Sequence, residues 1–163
     1  MDKKMFCFQC EQTVGCAGCT GNAGVCGKKA DTARLQDELT GALIGLARAV
    51  DSTTAVSKKT SQVIIEGLFT TVTNVNFDNA SIESMIQKVR AEKERLVPDC
   101  SKGQSPCGKT GEYDMQQLWN ANEDIRSLKS LILFGIRGMA AYAYHANVLN
   151  YEDTEVNRFF CEA

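Results

Sequence analysis

Five cysteines stand within twenty residues in the stretch CFQCEQTVGCAGCTGNAGVC: Cys7, Cys10, Cys16, Cys19 and Cys26. Glycines recur beside them at positions 15, 18, 21, 24 and 27. No hydrophobic period runs through residues 1–29, so this head cannot build an apolar core of its own and something else must order it. A bound metal centre would do so. Disulfides are the rival use for the chain's eight cysteines, but they need an oxidising compartment. The N-terminus, MDKKMFCFQC, has two lysines and no apolar stretch of the kind that directs secretion. We therefore expect a cytoplasmic protein whose head binds metal.

Cys7 and Cys10 are separated by two residues, a spacing that lets both sulfurs face one centre. Iron–sulfur clusters favour such closely spaced runs, because a cubane presents its irons at separate corners. The glycines let the backbone fold around a bulky inorganic core and leave peptide N–H groups free to bond its sulfides. Zinc is the alternative. Cys7/Cys10 and Cys16/Cys19 could form the two turns of a zinc ribbon, but only five residues separate them, where a dozen or more is usual. Spacing thus favours iron and sulfur, leaves a compact zinc site open, and does not say which four of the five cysteines belong together.

Behind the head the pattern is helical. Asp31 looks like an N-cap, followed by Leu35, Leu39, Ala42, Leu43, Leu46 and Val50 at steps of three and four. Ser57 looks like a second cap, before Val63, Ile64, Leu68, Phe69 and Val72; threonine and valine make a strand the rival there. Asp78 or Asn79 opens a third segment with Ile82, Met85, Ile86, Val89 and Leu96 on one face. Its charged residues (Lys88, Arg90, Glu92, Lys93, Glu94 and Arg95) read as a solvated face. Residues 98–112, PDCSKGQSPCGKTGE, read as a loop holding Cys100 and Cys107 as ordinary cysteines. A short helix is expected around Tyr113–Trp119.

The longest segment starts near Asn122. Its expected buried stripe is Ile125, Leu128, Leu131, Ile132, Gly135, Ile136, Met139, Ala140, Ala143 and Ala146, with the small residues marking close packing. The only histidine, His145, is expected to pack in this helix rather than bind metal. Trp119 and the tyrosines read as core or loop anchors. A last helix from Asp153 or Thr154 carries Val156, Phe159, Phe160 and Cys161, the last as a small core hydrophobe. It reaches Ala163 without a C-cap glycine. We therefore expect a cysteine-rich loop at 1–29 and a helical bundle at 30–163, cut in mid-helix and exposing Phe159 and Phe160.

The remaining composition excludes more than it assigns. Apolar residues at 44% and charged residues at 23% suit a soluble globular chain. A net charge of −2 lacks the basic footprint of a nucleic-acid binder. The most apolar run, LILFGIRGMAAYAY, is interrupted by Arg137, so no membrane span is expected.

Several long segments resemble one family. MFCFQCEQT, GVCGK, LQDEL, GLFTTVTNVNFD, NEDIRSLKSLILFGIRGMAAYAYHANVL and TEVNRFF match, in order, the N-terminal part of the hybrid-cluster proteins, also called prismane proteins or hydroxylamine reductases. The resemblance covers most of the chain and is weakest over residues 84–118. It implies that Cys7, Cys10, Cys19 and Cys26 ligate a [4Fe–4S] cubane, the short spacing distinguishing this from the two-iron form. It leaves Cys16 as a spare thiol, or as an alternative ligand during cluster assembly or damage.

The resemblance further implies an enzyme that reduces hydroxylamine to ammonia, with nitric oxide a further substrate in some accounts. That chemistry belongs to a separate iron–sulfur–oxygen hybrid cluster in downstream domains, and no motif for it occurs in these 163 residues. The expectation is an N-terminal electron-relay domain without catalytic residues of its own. Its partners would be the downstream catalytic domains and an electron-donor protein, with no nucleic acid or membrane. The alternatives are a stand-alone helical module that binds zinc or an iron–sulfur cluster, and a small free-standing electron carrier.

Overall fold

A computed structural model describes residues 5–10, 17–50, 56–97 and 111–163. The expectations for Cys16, Cys100, Cys107 and most of the 98–112 loop fall outside the described residues. Those described form six α-helices and, in the head, one isolated antiparallel bridge. The helices are α1 (Ala30–Ala49), α2 (Lys58–Thr70), α3 (Asn79–Leu96), α4 (Met115–Trp119), α5 (Glu123–Val148) and α6 (Thr154–Glu162). None is long and apolar enough to cross a membrane.

Local cap chemistry sets most of the starts. Side-chain oxygens of Ser57, Asp78, Asp114, Asn122 and Asp153 accept from backbone N–H groups in the first turns of α2 to α6, satisfying donors with no helical partner. α1 differs from the expectation. It begins at Ala30 after Lys29, and Asp31 lies inside its first turn. There the Asp31 carboxylate accepts from the Thr32 N–H and from Asn79 at the start of α3, at 2.9 Å each.

α2 is a helix, not a strand: the Ser57 cap and burial on several neighbours override its β-branched residues. It packs against α1, α3, α5 and α6, while α1 also lies along α3. The main core joins Leu39, Leu43 and Leu46 of α1 to Ile64, Ile65 and Leu68 of α2 and Ile82, Met85, Ile86 and Val89 of α3. Each such side chain contributes about 1.5–3 kcal/mol on burial.

Three expectations about faces hold only in part. On α5, Ile125, Leu128, Leu131, Ile132, Gly135 and Met139 are exposed, and only Arg137 and Ala140 are buried. A Cβ at Gly135 or Gly138 would meet nothing within 4 Å, so these small residues receive no close neighbour among the described residues. The helix is apolar on more than one side, and α2 takes the face of Ile136, Ala140, Ala143 and Tyr144. On α3, Glu92 is buried rather than solvated. It accepts from Thr60 at 2.8 Å and Arg95 at 2.6 Å, and pairs with Lys59 at 3.2 Å. On α6, Phe160 is buried in the core while Phe159 is exposed. Cys161 packs partly buried against the same core, as expected.

His145 lies at an exposed position, edge-on to Phe69 and Tyr144. Trp119 is an anchor, but Tyr142 and Tyr151 are exposed.

A second small core holds the head against the bundle. Met5–Cys10 is extended, so alternate side chains point to opposite faces. Phe6 and Phe8 pack with Met115, Leu118 and Trp119, the Trp119 ring lying 5.1 and 4.9 Å from theirs. Met5 and Cys7 face the other way and pack with Cys19 and Ala33. The α4 platform rests on α1 at Gly41, whose carbonyl accepts from the Tyr113 N–H at 3.1 Å. A Cβ at Gly41 would collide with the Tyr113 carbonyl, so only glycine permits that approach.

Candidate metal centre

The site begins with the alternation in MFCFQC. With both phenylalanines anchored on α4, Cys7 and Gln9 are turned to the opposite face, toward α1 and the returning head segment. The Cys7 N–H donates to the Cys19 carbonyl at 3.1 Å and the Cys19 N–H to the Cys7 carbonyl at 2.8 Å. Directly opposed residues in an antiparallel pair project to the same face. Two thiols twelve positions apart are thereby set side by side. Met5 N–H to the Gly21 carbonyl, at 3.3 Å, continues the pairing. A turn then closes through Gly24 N–H to the Lys28 carbonyl and Gly27 N–H to the Gly24 carbonyl, both at 2.8 Å, and carries Cys26.

Cys7, Cys10, Cys19 and Cys26 line one small cavity, whose wall is completed by Met5, Gln9, Gly24, Val25, Lys28, Thr73 and Asn74. Cys7 and Cys19 are each 7% exposed, Cys10 is partly buried and Cys26 is exposed. A Cβ on Gly24 would stand 3.2 Å from the Met5 methyl and 3.4 Å from the Cys26 sulfur. Glycine there keeps the cavity open. Among the described residues no three His, Cys, Asp or Glu side chains gather as a group able to hold a metal ion. Cys161 lies apart, on α6.

Charged and amide groups surround these thiols. Lys28 Nζ donates to Gln9 Oε1 at 2.7 Å. Gln9 Nε2 donates to Asp37 Oδ1 at 2.7 Å and to the Ala33 carbonyl at 2.8 Å. Burial pushes the Cys7 thiol up, against the opposing pull of the Gln9 backbone N–H and the Lys28 charge. Burial also pushes Asp37 up to about 6, although Gln9, Arg137 and Lys28 favour its ionised form. Arg137, enclosed by α1, α2 and α5, is pulled down to about 10 by desolvation.

Sequence reasoning brought out the four cysteines and missed the ring of Gln9, Lys28, Asp37 and Arg137. Arg137 carried a signal, as a lone charge inside an apolar run. Lys28 carried one too, directly behind Cys26-Gly27.

The Prismane/CO dehydrogenase family model matches residues 5–163. A hydroxylamine reductase of Clostridium perfringens is 40% identical over 179 residues, covering 97% of this chain and 32% of that protein. One of Methanococcus vannielii is 38% identical over 177 residues, covering 98% of this chain and 32% of its own. One of Porphyromonas gingivalis is 40% identical, with 98% and 32% covered. The chain thus spans about a third of the length of the curated relatives it matches. No solved structure matches it.

Proposed function

The chain belongs to the Prismane/CO dehydrogenase family, and from that premise we propose that it is the N-terminal electron-relay domain of a cytoplasmic hydroxylamine reductase. In this reading Cys7, Cys10, Cys19 and Cys26 hold a [4Fe–4S] cluster. When bound, the cluster supplies one-electron acceptance and release. The catalytic hybrid cluster and the residues that bind it belong to the polypeptide beyond this third, and an electron-donor protein supplies the electrons. Hydroxylamine reduction takes two electrons, which a one-electron carrier delivers in succession.

The observation that carries the reading is the shared cavity of the four cysteines. Zinc requires four sulfurs at about 2.3 Å from one centre, whereas a cubane spreads its ligands over separate corners. The close Cys7–Cys10 spacing and the glycines beside the cysteines favour the cluster. The chain's own residues do the rest. The Cys7–Cys19 pairing fixes two donors in register, Gly24 leaves room beside Cys26, and the Phe6–Phe8–Trp119 packing ties the cradle to the bundle.

Serine substitution tests the assignment. Cys7→Ser, Cys10→Ser, Cys19→Ser and Cys26→Ser should each lower iron and labile sulfide in anaerobically reconstituted protein, while Cys16→Ser leaves both unchanged. Full loading of any of the first four would contradict it.

A further inference from the structure

A buried cation, Lys28, stands in the wall of the cysteine cavity and makes no ion pair with another described residue. Lys28 is 4% exposed and its ammonium is held by the neutral Gln9 amide at 2.7 Å. Among the described residues, the ion pairs all involve other cations. Burying a charge with only neutral partners is strongly unfavourable unless a counter-charge lies nearby.

Lys28 shares the cavity wall with all four cysteines, and its ammonium reaches Asp37 through the Gln9 amide, which donates to Asp37 Oδ1 at 2.7 Å.

We infer that Lys28 is a counter-charge of the cluster at this cavity and raises its reduction potential. The inference rests on the reading of the four cysteines as cluster ligands. On reduction, one electron from an external reductant enters the cluster. No bond to the protein forms or breaks, no proton moves, and the site gains one negative charge. Fixed positive charge nearby favours that more negative state. Lys28 acts through the field and through Gln9, as a positioning residue that need not touch iron. Asp37 opposes it, so its removal should move the potential the other way.

The test uses the full chain, reconstituted anaerobically with iron and sulfide and titrated with dithionite through mediators, with the cubane followed by EPR. Lys28→Met should shift the oxidised-to-reduced ratio at a fixed ambient potential about tenfold toward oxidised, a fall of about 59 mV for a one-electron couple. Lys28→Arg keeps the charge and should stay near wild type. Arg158→Met, at an exposed cation on α6, should shift nothing. A cubane in every variant with an unmoved potential overturns this inference and leaves the ligand assignment standing. A wild-type protein without a cubane signal overturns both.

Discussion

Cys7 and Cys19 hold each other through their backbones, each amide donating to the other's carbonyl, at 3.1 and 2.8 Å. The pairing is the head's own piece of regular structure, and it sets two buried thiols beside each other before any metal arrives. Cys26, on a glycine turn at the surface, completes the cradle from the exposed side.

That asymmetry predicts an order of thiol reactivity in iron-free protein. The thiolate is the nucleophile, so burial protects twice, by blocking access and by raising the pKa. Burial raises Cys7 and pushes Cys161 up to about 11. Brief iodoacetamide treatment at pH 8, mapped by mass spectrometry, should modify Cys26 well before either. In cluster-loaded protein Cys26 should become protected and Cys161 should react as before. Equal labelling of Cys7 and Cys26 in the iron-free chain would contradict this account.

Gly41→Ala should destabilise the protein by about 1–3 kcal/mol, the usual cost of overpacking. The added methyl would collide with the Tyr113 carbonyl and lift the α4 platform from α1. Thermal melts report the loss. Because Phe6, Phe8 and Trp119 pack on that platform, the fluorescence of the only tryptophan should shift to the red in the folded variant. A variant as stable as wild type would show that the approach of Tyr113 to α1 is not required.

Asp37 gives the iron-free protein a pH dependence of definite sign. Its carboxyl rises from 3.8 to about 6 on folding, so between those values the folded state binds more protons than the unfolded state. Its contribution to stability is complete below about pH 4 and is lost as pH rises through about 6. Asp37→Asn removes this dependence. Urea unfolding at pH 4.5 and pH 7 should show the variant gaining on wild type at the higher pH. Glu92, held down from 4.5 to about 2 by Arg95 and by its other partners, changes mainly below pH 4.5 and does so alike in variant and wild type. A variant that loses ground between the two pH values would contradict the placement of Asp37.

Much of this was legible from local chemistry. Ser57 caps the helix it seemed to cap, and Asp78, Asn122 and Asp153 cap helices whose starts were expected at or beside them, because a cap depends on residues within one turn. Faces were harder. α5 is apolar around much of its circumference, so the side turned inward depends on where α2 lies, which no local period encodes. Glu92 did leave a trace: it falls three residues after Val89 and seven after Met85, on the apolar stripe of α3. Its charge led to a solvated reading, where Thr60, Lys59 and Arg95 in fact receive it. Around the cysteines, spacing left the choice of four open and the resemblance selected them, and those four line one cavity. The Lys28–Gln9–Asp37 hydrogen bonds and Arg137 come together only through folding, since 109 positions separate Lys28 from Arg137.

The most direct test of the central claim is the metal itself. The full chain, expressed and purified without oxygen, should be brown, hold about four irons and about four labile sulfides, and give a cubane EPR signal on reduction with dithionite. Colourless protein holding a single zinc ion on the same cysteines would contradict it.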